Sequence, residues 1–133
     1  MGIKHIAIDT MIIVYILEHH KQEEKCFQIL EKATTIIASY LLRGEVLTGY
    51  KQRGAQDRAD QVKNLGLIIP GFEWKSFGGK TSEIFSDLRS KYPAIKAPDC
   101  IHLATAIEHK AETFITNDKQ LKQVKEIPIT LLG

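Results

Sequence analysis

Ala97-Pro98-Asp99-Cys100-Ile101-His102-Leu103-Ala104-Thr105-Ala106, followed by Phe114-Ile115-Thr116-Asn117-Asp118, decides the fold. The stretch reads as a helix, a short turn, a buried strand and the start of a second helix. Pro98 suits a helix start, where its missing N–H costs nothing. Asp99 then falls in the first turn, where the positive end of the helix dipole favours an anion. Asp118 follows the apolar run Phe114-Ile115-Thr116, so it projects from the end of a strand. In open α/β sheets that edge is where ligands bind.

Outward from this block, short apolar runs alternate with amphipathic ones. Ile6-Ala7-Ile8, Thr35-Ile36-Ile37-Ala38, Leu67-Ile68-Ile69, Thr113 to Thr116 and Ile127 to Leu132 read as strands. Pro128 places the last of these at an edge or marks a strand start. Between them, Met11–His20, Gln22–Ala33, Tyr40–Gln52, Ala55–Leu65, Lys80–Lys91 and Asp99–Ala111 carry helical spacing, and Phe72–Gly79 reads as a loop. Alternation of this kind predicts an α/β fold: a three-layer α/β/α architecture with a mostly parallel central sheet. No composition shift marks a boundary, and 133 residues suffice for one core, so a single domain over 1–133 is expected.

A net charge of +2 excludes a binder that works through a broad polybasic surface, though not one that recognises nucleic acid locally. Cys26 and Cys100 fit no metal spacing and read as buried thiols in a reducing cytosol. Met1 to Asp9 offers no signal peptide, and the apolar run Met11–Leu17 is too short to span a bilayer. A cytoplasmic chain without a membrane partner is expected.

The chemistry lies in carboxylates. Asp9 and Asp118 follow strands, and parallel strands end on one side of the sheet. Asp99 joins them if its helix opens there. Glu45 sits among Leu41, Leu42, Val46 and Leu47 and can point toward the same cleft. Two unit charges about 4 Å apart repel by roughly 4 kcal/mol at an effective dielectric near 20. Nothing in local folding requires such a cluster, and a divalent cation offsets the repulsion. Hard oxygen ligands select Mg²⁺ or Mn²⁺, and such a site can activate water against a phosphorus centre.

Ile8-Asp9-Thr10, Ser39 six residues before Glu45, Asp99-Cys100-Ile101-His102-Leu103-Ala104-Thr105-Ala106 and Thr116-Asn117-Asp118 together resemble the PIN-domain nucleases. Within them they resemble the VapC-type toxins of prokaryotic toxin–antitoxin pairs. The resemblance spans nearly the whole chain. It implies that Asp9, Glu45, Asp99 and Asp118 form an acidic catalytic quartet, with Asp9, Asp99 and Asp118 holding Mg²⁺ or Mn²⁺. It also implies that Thr10, Thr116 and Asn117 shape the substrate pocket, that RNA is the substrate, and that an antitoxin and a second copy of the chain are partners. Two departures bear on Glu45. Leu42 stands where members often carry a small hydroxyl residue, and Gly44 weakens its helix by about 1 kcal/mol.

Other motifs carry less. Asp99 and His102 lie at a spacing that suits zinc, but no cysteine or second histidine joins them, so a packed or hydrogen-bonded His102 is expected. Gly78-Gly79-Lys80-Thr81 invites a phosphate-loop reading, but Trp74 stands where that motif needs glycine. Arg43, Lys51 and Arg53 are either a solvated surface or a rim for RNA or antitoxin. The function expected is a metal-dependent endoribonuclease, a hydrolase. The alternatives are a non-catalytic PIN-like RNA- or protein-binding module and a structure-specific DNA nuclease.

Overall fold

The structure, a computed structural model, describes residues 4–133; Met1, Gly2 and Ile3 of the stretch read for a signal peptide lie outside them. Among the described residues five strands form one sheet in the order β3-β2-β1-β4-β5. They are β1 (His5–Ile8), β2 (Thr35–Ser39), β3 (Phe72–Lys75), β4 (Thr113–Thr116) and β5 (Ile129–Leu131). Every pairing is parallel. Helices α1 (Thr10–Leu17), α2 (Glu23–Glu31), α3 (Tyr40–Gln52), α4 (Gln56–Lys63) and α5 (Leu65–Ile68) precede α6 (Gly79–Lys91) and α7 (Ala97–Glu108) in the chain. A 3₁₀ turn covers Lys119–Gln123.

Alternation along each strand splits the core in two. Ile6, Ile8, Ile36, Ala38 and Ile115 face α1 to α5. Ala7, Ile37 and Phe114 face α6 and α7. Both faces are covered, which is why these strands read as continuous apolar runs rather than alternating ones. The three-layer α/β/α expectation holds, and the sheet is wholly parallel.

One strand was misread. Leu67-Ile68-Ile69 is not a strand: Leu65–Ile68 forms the short helix α5, with Leu67 88% and Ile68 52% exposed. The strand lies just beyond, in the segment expected to be a loop. Phe72-Glu73-Trp74-Lys75 pairs with β2, burying Phe72 and exposing Glu73, which meets Lys75 at 2.7 Å. A three-residue apolar run does not distinguish helix from strand, and an edge strand needs only one apolar face. Pro70-Gly71 turns the chain into this strand. Gly71 has φ +78°, and a Cβ there would sit 2.2 Å from the Thr34 carbonyl oxygen, so only glycine lets the two segments pass.

Gly78-Gly79-Lys80-Thr81 opens α6. The Gly78 N–H donates to Thr81 Oγ1 at 3.0 Å, and the buried Thr81 hydroxyl donates to Glu108 of α7. Its residues are spent on a helix start and an interhelical contact. The free thiols of Cys26 and Cys100 are both buried, as expected, and burial pushes both pKa values up. Among the described residues no helix is long and apolar enough to cross a membrane.

Tyr50 of α3 is buried and donates its hydroxyl hydrogen to Glu18 at 3.1 Å, while Arg53 reaches the same carboxylate at 3.3 Å. Burial, then the hydrogen bond to Glu18 and the charge of that carboxylate, push the Tyr50 pKa from 10.0 to about 12. Between those values the folded chain keeps a proton that the unfolded chain loses. Stability is therefore full below pH 10 and falls as pH rises toward 12, by about 2–3 kcal/mol at about 1.4 per unit. Melting temperatures of wild type and Tyr50→Phe across pH 9 to 12 check this. The wild type declines more steeply; parallel curves rule Tyr50 out as the group responsible.

Candidate functional site

Strand order reverses beside β1: β2 and β3 extend to one side, β4 and β5 to the other. Open α/β sheets bind ligands at such a point, beyond the strand ends. Asp9 and Asp118 lie there. Asp9 follows β1 and caps α1, its Oδ1 accepting from the Thr10 N–H at 2.7 Å. Its Oδ2 accepts from the Thr116 hydroxyl at 2.7 Å. Thr116 Oγ1 in turn accepts from the Asp118 N–H at 3.0 Å. One hydroxyl at the end of β4 thus fixes the Asp9 carboxylate and the backbone of Asp118. The Asp118 side chain caps the 3₁₀ turn by accepting from the Gln120 N–H at 2.9 Å.

Thr116 is fully buried. Thr116→Val preserves its shape and removes the hydroxyl, leaving an Asp9 oxygen and an amide unpaired. The expected loss is about 1–3 kcal/mol, read as a lower urea midpoint with an unchanged m value. An unchanged midpoint refutes the coupling.

Asp99 enters from α7, which runs back to β4 and so opens at the same edge. Pro98 lies in the first turn of that helix, as does Asp99. Burial and the neighbouring charge of Asp9 push the Asp99 carboxyl above its usual pKa; His102 opposes this, and Asp118 and Glu45 add to the rise. The cluster is therefore a place where anionic charge is crowded and partly desolvated.

Glu45 lies in the second turn of α3, and Gly44 does not interrupt that helix. Its Oε1 is 2.8 Å from His102 Nε2 and 3.4 Å from the Thr10 hydroxyl. The ring of His102 is buried, and its Nδ1 lies 2.7 Å from Ser39 Oγ. Ser39 also caps α3, its oxygen accepting from the Leu42 N–H at 3.0 Å. Sequence reasoning reached a hydrogen-bonded His102 but missed its two partners. They lie 63 and 57 residues away, with only the shared strand-end edge to hint at them.

One oxygen each of Asp9 and Asp99 and one ring nitrogen of His102 lie within 4.8 Å of one another. Both His102 nitrogens already have hydrogen-bond partners, so the carboxylates are the better ligands. That oxygen-rich donor set fits a hard divalent cation such as Mg²⁺ or Mn²⁺.

The remaining candidates scatter. Thr10 sits beside Glu45. Asn117 is exposed and donates to the Tyr15 hydroxyl of α1 at 3.1 Å. The Arg43 guanidinium lies 5.9 Å over the Trp74 ring. Lys51 is exposed, and Arg53 pairs with Glu18 at the far end of α3. At a rise of about 1.5 Å per residue, Arg53 is roughly 12 Å along the helix from Glu45.

A search of curated protein sequences finds no match. Solved structures share the fold. VapBC2 from Rickettsia felis, described as bound to a DNA fragment from their promoter, aligns at TM-score 0.77 and 20% identity, covering 96% of this chain and 98% of that one. A toxin–antitoxin complex from Klebsiella pneumoniae aligns at 0.74 and 21%, covering 96% and 98%. VapC20 from Mycobacterium tuberculosis, described as a sarcin-ricin loop cleaving toxin, aligns at 0.71 and 12%, covering 92% and 98%. The model of the PIN domain family matches residues 6–127. With that match over nearly its whole length and acidic residues meeting where its sheet reverses order, the chain belongs to the PIN domain family.

Proposed function

We propose that this chain is a Mg²⁺- or Mn²⁺-dependent endoribonuclease that acts in the cytoplasm as the toxin of a toxin–antitoxin pair. The observation that carries the reading is the meeting of Asp9 and Asp99 beside His102 within 4.8 Å at the switch point, where burial first and the Asp9 charge next raise the Asp99 pKa and the charges of Asp118 and Glu45 add to the rise. The sharing of its fold with a toxin–antitoxin complex and with a toxin described as cleaving the sarcin-ricin loop supports it. The whole chain works as one unit, with a homodimer and a cognate antitoxin as its assemblies.

In this reading Asp9, Asp99 and Asp118 hold the divalent cation. When bound, that ion offsets the carboxylate repulsion and stabilises the negative charge that develops on the phosphate during hydrolysis. Asp9 is kept in place by the Thr10 amide and the Thr116 hydroxyl. Glu45 uses Oε1 toward His102 and Thr10, leaving Oε2 to orient the attacking water and accept its proton. Water adds to phosphorus as its proton passes to Glu45, the P–O bond to the leaving ribose oxygen breaks, and that oxygen takes a proton from solvent. Thr10 and Asn117 border the pocket. Arg43, Lys51 and Arg53 along α3 contact the RNA or the antitoxin.

Purified protein incubated with RNA in Mn²⁺, with and without EDTA, tests the reading. Cleavage that stops on chelation and returns with added metal is expected. RNA left intact in Mn²⁺ overturns the nuclease, and harmless expression of a protein that does cut RNA overturns only the toxin.

A further inference from the structure

We propose that His102 is a positioning residue that sets the working orientation of Glu45, with Ser39 as its anchor. The inference rests on the nuclease reading and adds to it a residue outside the acidic quartet. Ser39 Oγ already accepts from the Leu42 N–H at 3.0 Å, so the hydroxyl hydrogen is free to donate to His102 Nδ1 at 2.7 Å. Nδ1 is then the acceptor, and Nε2 carries the ring hydrogen and donates it to Glu45 Oε1 at 2.8 Å. The opposite tautomer would set a bare nitrogen lone pair against a carboxylate.

The geometry makes His102 a strut. Ser39 caps α3 and Glu45 lies in the second turn of the same helix. His102 arrives from α7, and its side chain is 2% exposed against 36% for that of Glu45. A rigid buried ring braced on one helix end thereby fixes a solvent-reaching carboxylate. A free Glu side chain gives up rotamer entropy to hold one conformation. Gly44 offers no neighbouring side chain to restrain Glu45, and the Thr10 hydroxyl reaches Oε1 only at 3.4 Å, so the ring at 2.8 Å is the closer restraint. A residue of this kind leaves substrate binding alone and changes the chemical step.

The two carboxamides separate the contacts. His102→Gln carries an N–H to the place of Nε2, whereas His102→Asn reaches only the place of Nδ1 and Ser39. For His102→Asn, kcat on RNA falls about 10–100-fold, the range for residues that orient site groups, with KM unchanged. His102→Gln recovers most of that loss. A carbon-13 spectrum of labelled glutamate reads the contact without activity: the Glu45 carboxyl resonance moves in His102→Asn and stays near its wild-type position in His102→Gln. If His102→Asn does not fold, Ser39→Ala replaces it. That variant removes the donor to Nδ1, frees the ring to adopt the other tautomer, and is expected to move the same resonance.

A Glu45 resonance unmoved by these substitutions overturns the proposal, as does a moved resonance with unchanged kcat. Equal loss of Mn²⁺ binding in both carboxamides also overturns it, making His102 a ligand instead. Wild-type protein that cuts no RNA sinks the nuclease reading by itself, and the Glu45 spectrum still decides whether His102 fixes that side chain.

Discussion

Asp99→Asn is expected to lower the rate of RNA cleavage by roughly a thousandfold, the scale seen when one charged or polar stabiliser of a transition state is removed. The same substitution should raise the melting temperature of the metal-free protein. The second effect separates a charged site from an ordinary structural residue. Burial and the Asp9 charge hold the Asp99 pKa above its usual value. The fold therefore disfavours the ionised carboxylate, and at neutral pH the neutral amide relieves that penalty. The sign follows from linkage. A carboxyl raised in the folded state binds its proton more tightly there, so stability falls as pH rises through the window above the usual carboxylate value. The amide variant loses that slope. Added Mn²⁺ reverses the order, because ligation stabilises only the protein that binds the ion. Thermal melts with EDTA and with Mn²⁺, beside a cleavage assay, check all three statements. Cleavage at the wild-type rate would remove Asp99 from the reaction.

Phe114→Ala is expected to cost about 3–5 kcal/mol. Phe114 is fully buried on β4, faces α6 and α7, and sits in register with Ala7 of β1. The small residue beside the large one lets the ring fill the space over the centre of the sheet. Truncation leaves a cavity between a strand and a helix that are both held by other contacts, so collapse is limited. Against a typical total of about 5–15 kcal/mol, the loss removes a large part of the stability. Urea unfolding measures it, and a loss below about 1 kcal/mol would mean that the layer repacks freely.

The central strands and the long helices were legible because both strand faces are buried and the helices carry one apolar side. Tyr40–Gln52 and Thr113–Thr116 were read with the bounds the structure has. The rest failed where tertiary context outweighs local pattern. Leu67-Ile68-Ile69 has strand composition, yet only Ile69 is buried, and the edge strand beyond it is half polar. At the site, Asp9 and Asp118 were readable from strand ends, since parallel order alone brings them to one edge. Asp99 was readable from Pro98 and a helix start. Glu45 was readable as a residue able to face the cleft; its contact with His102 of another helix was not, since no spacing in the chain encodes that meeting. Arg43, Lys51 and Arg53, neighbours in sequence, are spread by the length of a helix.

Thr116 reaches Asp9 across 107 residues, with a parallel pairing of β1 and β4 beneath it. β1 is thus the middle of the sheet, and β4, one of its flanks, joins it only after α1 to α7 have been made. Contacts of such long range form late and slowly. A nascent chain that still lacks β4 holds no assembled pocket, because Asp9 then lacks the Thr116 hydroxyl that fixes its carboxylate and Asp118 has not been made.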